Sequence, residues 1–339
     1  MSNIDRRDYI KIGGAGLFTG ISGCQRNNGG ENSQDLILAT AVSGDFAYNV
    51  YAREFKRLLE QESDGSFSID LQTGGVYGSE PAQTETLQAG EIDMIMQGLG
   101  VSPALTASEP VLRSILATWV YEKKEWWQHM LNIIEELDNR ASLFDTFAEA
   151  SLTTLGMPVL GGMRHVTATK PIRTPDDADG VSLRLPTVPG WPTAFSALGF
   201  EPESIEFPEW YSSLQSGVVD GGEGESTLVL SENIDEVQSH YSLTYHYPNG
   251  GWHHVNTELF DSLDTSEQDM MRELASTAKD NVEPTIRENI ENDTQALEME
   301  IVDDVDLEAM HEVVRPVLRE EFNNNETTLG FDEILNLSP

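Results

Sequence analysis

One arginine in this chain stands where chemistry could happen. Arg184 sits inside the apolar run "VSLRLP" (181–186). In an extended segment, alternation places Val181, Leu183 and Leu185 on one face and Ser182, Arg184 and Pro186 on the other. A guanidinium is a planar fork that can hold a carboxylate through two parallel hydrogen bonds. If the run is a strand of an open α/β sheet, its carboxyl end faces the crevice where such sheets bind ligands. The alternative is a solvent-facing arginine paired with a nearby acid, an arrangement that contributes little energy.

Other residues with chemical potential form weaker patterns. His246, His253 and His254 follow Glu223 and Glu225, but their spacing matches no zinc arrangement, and adjacent histidines on a strand point opposite ways. They read as exposed or hydrogen-bonded histidines, so no metal is expected. There is no nucleophile elbow and no P-loop, and His311-Glu312 lacks the second histidine of a zinc protease helix. The glycines "GGAG" (13–16) follow no strand and make no dinucleotide fingerprint. Cys24 is the sole cysteine, which rules out an intramolecular disulfide and any CxxC site. The expectation is a protein that is not an enzyme and needs no cofactor.

The elements that position Arg184 follow from periodicity. "DLILATA" (35–41), "SFSIDLQT" (66–73) and "IDMIMQG" (92–98) read as strands, separated by helical patterns at 46–61 and about 80–89. The alternation restarts with strands at 181–186, 202–207 and 218–222 around helices at 193–199 and 208–217. Strands alternating with helices imply βαβ units and a largely parallel sheet. "LQAGEID" (87–93) echoes "LQSGVVD" (214–220); in each, a helix ends at a glycine suited to a left-handed cap. From Thr265 onward long acidic helices follow, with a capping box expected between Thr265 and Gln268. Pro284 is expected to kink or interrupt the first of these helices, and a last helix covers about 306–322.

Composition narrows the function. The chain has 339 residues, with 58 Asp+Glu against 20 Lys+Arg and a net charge of −38. Such a surface suits molar salt, where the Debye length is about 3 Å and self-repulsion is screened. It argues against nucleic acid as a partner, because phosphate contacts need basic patches. The opening "MSNIDRRDYIKIGGAGLFTGISGC" (1–24) pairs Arg6 and Arg7 before about ten mildly apolar residues, far short of the roughly 20 that span a bilayer. It resembles a twin-arginine export signal ending in a lipobox, with Cys24 as the lipidation site. Residues 25–34 then form a flexible tether. The expected location is outside the cytoplasm, with contact to the membrane through a lipid anchor alone.

Three spaced stretches carry a family resemblance: "GMRHVTATKPIRTPDDADGVSLRLP", "ALGFEPESIEFPEWYSSLQSGVVDGGEG" and "ENIDEVQSHYSLTYH", dense over 161–247, with weaker similarity over 35–160 and 248–330. They resemble the DctP-like solute-binding proteins of tripartite ATP-independent periplasmic (TRAP) transporters. The resemblance implies an α/β, two-lobed periplasmic-binding-protein-like clamshell (type II-like) with mixed sheets and a long helix spanning both lobes. It places 35–161 and about 250–289 in one lobe, and about 162–249 and 290–330 in the other. It implies capture of a small carboxylate-containing organic acid and delivery to the small and large membrane subunits of a permease. Carried over position by position, Arg184 is the carboxylate clamp, Arg164 its support, Phe207 an aromatic packing on the ligand, and Glu223 the acid of the "D-G-x-E" run. Where the family commonly has Asn after that acid, this chain has Gly224, which suggests extra room for a bulkier or more apolar acid beside Trp191 and Trp252. Ser43 and Gln97, at strand ends of the other lobe, complete the candidate ligand contacts. An exported sensor, a binding protein of an ATP-driven transporter and an exported enzyme are the alternative readings.

Overall fold

Alternating apolar residues build one mixed sheet whose two faces are both covered. The computed structural model describes residues 33–100, 105 and 108–339; the export signal and Cys24 lie outside them. The strands are β1 (Gln34–Thr40), β2 (Phe67–Gln72), β3 (Met94–Gly98), β4 (Leu152–Thr154), β5 (Val159–Ala168), β6 (Ser182–Leu185), β7 (Glu201–Ser204), β8 (Gly221–Gly224), β9 (His240–Asn256) and β10 (Glu300–Val302). Their order is β2-β1-β3-β9-β5-β8-β6-β7, with β4 and β10 added to β9. Pairs β1/β2, β1/β3, β6/β7 and β6/β8 are parallel, whereas β9 runs antiparallel to β3 and β5. Along β1, Leu36 and Leu38 enter one apolar cluster with Met94 and Met96, while Ala39 and Ile95 enter another on the opposite face. Strands buried on both faces are expected to be apolar, and the run Leu36–Ala39 of β1 and Met94–Met96 of β3 fit this.

The 17-residue β9 joins the two halves of the sheet. Residues 251–255 pair with β3 along one edge, and residues between 240 and 251 pair with β5 along the other. The β5/β9 ladder breaks register between Leu160 and Met163 and again between Arg164 and Val166. Such irregularities re-aim side chains, and Arg164 lies between them.

The echoed helix ends are both present. Gly90 (φ +70°) follows the helix Glu80–Gln88, and Gly217 (φ +70°) follows Trp210–Gln215, each donating to the backbone of the last helical turn. After Gly217 the expected strand at 218–222 starts late. Val218 N–H still bonds Ser213 O, so "VV" is spent on the cap and β8 falls on the glycines.

The long helix Thr265–Ala296 spans 32 residues and packs on the helix Ala47–Glu62 and on Ser226–Ser231, one from each half. Its capping box is Asp264 with Glu267, one residue earlier than expected; a carboxylate at the cap also meets the helix dipole favourably. Gln268 instead donates to Phe260 O and Leu263 O. Nor does Pro284 interrupt the helix. It lies on the solvent side, as does Asp280, whose carbonyl loses its helical partner and is left to water.

Candidate ligand-binding site

A cavity of about 370 Å³ opens at the carboxyl ends of the parallel strands. Ala41–Ser43 follow β1, Gln97–Gly100 end β3, Pro186–Val188 follow β6 and Ile205–Pro208 follow β7; all line it. The position is the one open α/β sheets use, because the loops leaving parallel strands diverge there. Its size suits a small organic molecule.

Arg184 lies at its floor and is 2% exposed, so the solvent-facing alternative does not hold. Its Nε donates to Ile205 O at 2.9 Å and its guanidinium lies 5.3 Å from the centre of the Trp210 ring. Nη1 is 3.9 Å from Glu223 Oε1, too long for a hydrogen bond. Neither Nη makes a hydrogen bond among the described residues. Burial pushes its pKa down to about 10, against the pull of Glu223.

Arg164 is committed differently. Its Nε and Nη2 donate to the two carboxylate oxygens of Glu223 at 2.5 and 2.7 Å, and it faces the Trp191 ring at 5.6 Å. Burial opposes ionisation of Glu223, but Arg164 and His246 outweigh it and hold its pKa far below the usual carboxylate range. His246, wholly buried, completes this shell with Nε2 at 3.1 Å from Glu223 and Nδ1 at 2.8 Å from Thr244 Oγ1. Since the carboxylate can only accept, Nε2 carries the proton and the Thr244 hydroxyl donates to Nδ1. Two guanidiniums thus share one carboxylate. One positive charge is left over, and it is on Arg184.

The glycines of "GGEG" explain how Arg184 is backed. A Cβ on Gly222 would stand 2.3 Å from Trp210 Nε1, and one on Gly224 would stand 2.9 Å from Trp210 Cη2. Only bare backbone lets the indole lie against β8 and present its face to Arg184. The space left by Gly224 is therefore filled by Trp210, which corrects the expectation of a roomier pocket.

Of the candidate residues, Arg184, Arg164, Phe207, Trp191, Ser43 and Gln97 line the cavity. Glu223 does not: it sits behind the arginines and orders them. Trp252 does not either. It packs on Phe144 and Phe147 in the core, 0% exposed. His253 and His254 are buried, bonded to Tyr51 and Thr154, and held by burial at about 3, hence neutral.

Sequence reasoning missed Trp210, whose signal was the alternate glycines of the strand following it. It also missed Tyr48, which donates to Gly250 O at 2.6 Å, and Glu80, the first residue of its helix, which lines the cavity after the glycine-rich loop. Burial pushes the Glu80 carboxyl up to about 7, although Gly98 N–H and Arg164 pull the other way.

Known proteins share this fold. The model of the bacterial extracellular solute-binding protein family 7 matches residues 38–325. A solute-binding protein of Roseobacter denitrificans is 25% identical over 292 residues, covering 86% of this chain and 87% of its own length. The ectoine-binding periplasmic protein of Halomonas elongata is 26% identical over 242 residues, 68% of this chain and 66% of its own. Among solved structures, a TRAP periplasmic solute-binding protein of Roseobacter denitrificans with bound L-galactonate superposes with a TM-score of 0.77 at 24% identity, over 91% of this chain and 98% of that one. The mixed sheet and spanning helix are those of its two-lobed clamshell fold. The chain belongs to the bacterial extracellular solute-binding proteins of family 7, the substrate-binding subunits of TRAP transporters.

Proposed function

We propose that this protein captures a small organic acid by its carboxylate, at Arg184, and delivers it to a TRAP-type membrane permease without transforming it. The observation that carries the reading is the surplus charge: Arg164 is consumed by Glu223, and both Nη groups of Arg184 lie at the cavity floor without a protein acceptor. A carboxylate there makes charge-assisted bonds to a guanidinium that is itself buried. Arg164 positions Arg184 through their shared acid, and Trp191 and Phe207 supply apolar wall. Ser43 and Gln97 reach the cavity from the other half of the sheet, so one solute touches both halves and favours their closed arrangement. The lobes divide as 35–161 with about 250–289 and about 162–249 with 290–330; the change of β9's partner from β5 to β3 near Gly250 supports that division. The Arg6–Arg7 pair and "ISGC" support export with a lipid on Cys24.

Thermal-shift screening of residues 25–339 in molar KCl tests the reading. A ligand that binds only the folded state adds about 2.7 kcal/mol at a hundredfold excess over its Kd. The expected result is a shift with carboxylic acids that disappears in Arg184→Ala. Shifts with neutral sugars alone, or shifts that survive the substitution, would refute it.

A further inference from the structure

The charges of the cavity are arranged as a dipole, and this bears on the solute. Arg184 supplies the unspent positive charge at the floor. From the other half of the sheet comes Glu80, whose carboxyl accepts from Gly98 N–H and makes no ion pair among the described residues. Glu232, half-buried, also lines the cavity without an ion pair. The general acidity of the chain does not account for Glu80, since it faces a largely apolar cavity where an unpaired carboxylate is penalised.

Resting on the reading that Arg184 takes a carboxylate, we propose that the solute is a zwitterion with an apolar body, its carboxylate on Arg184 and an ammonium or other cationic nitrogen facing Glu80. Three observations favour this class. A dicarboxylate would set its second charge against Glu80, and the other cation among the described lining residues, Arg164, already spends Nε and Nη2 on Glu223. A polyhydroxylated acid needs a polar partner for each hydroxyl, yet much of the wall is Phe46, Leu99, Val188, Trp191 and Phe207. Those aromatic faces also suit a substituted nitrogen cation, which the ring quadrupole attracts.

Isothermal titration in molar KCl with shape-matched pairs tests the proposal. Glycine betaine is compared with 3,3-dimethylbutanoate, in which carbon replaces the quaternary nitrogen, and pipecolate with cyclohexanecarboxylate; succinate and galactonate are the comparators. The expected result is that in at least one pair the zwitterion binds tighter by roughly tenfold or more, about 1.4 kcal/mol. Glu80→Gln is expected to remove that advantage, bringing the zwitterion and its carbon analogue to within about threefold of each other. The matched pairs need no variant, so a misfolded Glu80→Gln does not spoil the test. Carbon analogues that match or exceed their zwitterions, or succinate or galactonate binding tighter than all four through Arg184, would overturn the zwitterion class and leave carboxylate capture standing. If no acid binds, or binding ignores Arg184→Ala, the carboxylate reading fails and this proposal with it.

Discussion

Replacing Arg184 by methionine should separate binding from folding. The side chains are similar in length, so the substitution removes the charge with little change in volume. In the free protein Arg184 has one hydrogen bond, to Ile205 O at 2.9 Å, and the Trp210 face. Against these stands the desolvation of its charge, which already lowers its pKa to about 10. Glu223 is not orphaned by the change, because Arg164 and His246 still satisfy it. Removing a poorly paired buried charge is often neutral or stabilising, so free-protein stability should stay within about 1 kcal/mol of wild type. Arg164→Met is the control. It strands the Glu223 carboxylate with its nearest remaining cation 3.9 Å away, and breaking a buried pair costs about 3–5 kcal/mol. Binding should behave in the opposite way for Arg184→Met. Two charge-assisted bonds of about 1.5–3 kcal/mol each are lost, so even with imperfect additivity Kd should rise at least about a hundredfold. Urea titrations give the first quantity and isothermal titration with a solute found by screening gives the second. If Arg184→Met destabilises as much as Arg164→Met, or binds within about threefold of wild type, the charge accounting at this site is wrong.

Two further outcomes follow from the packing and from the buried acids. Gly222→Ala drives a methyl into the Trp210 indole, where a Cβ would stand 2.3 Å away; overpacking of this kind costs about 1–3 kcal/mol. The melting temperature should fall, tryptophan fluorescence should shift and solute affinity should drop, and an unchanged spectrum would show that the indole does not lie on β8. Glu225, whose carboxylate caps the helix Ser226–Ser231, is pushed up to about 7 by burial, with Asp293 adding to it and Arg164 opposing. Between about 4.5 and 7 the folded state holds this proton and the unfolded state does not, so its contribution to stability declines as pH rises through that window. Wild type should therefore lose stability relative to Glu225→Gln between pH 5 and pH 8 in urea titrations, and parallel profiles would contradict the raised pKa.

Much of this protein is determined locally and can be read from the chain. Period-two alternation and glycine-terminated helices locate β1–β3, β6 and their helices within a residue or two, because each local pattern has one way to bury its apolar face. Arg184 is legible for the same reason: a charge in the middle of an apolar strand, next to the strand's carboxyl end, has few uses. What the chain could not reveal are the partnerships made across the sheet. Nothing local tells that β9 changes partner from β5 to β3, and it is that change which brings Glu80 and Gln97 to a cavity shared with Arg184. Trp191 and Trp252 looked equivalent as aromatic residues and enter the same apolar cluster, but Trp191, opening the helix after β6, reaches the cavity, whereas Trp252, on β9, packs against Phe147. Gly224 read as empty space because the indole that fills it comes from 14 residues earlier in the chain. Above all, the difference between two arginines is a tertiary fact. Glu223 takes both hydrogen bonds from Arg164 and stands beyond hydrogen-bond reach of Arg184, and that difference of about an ångström decides which guanidinium is left with its Nη groups uncommitted.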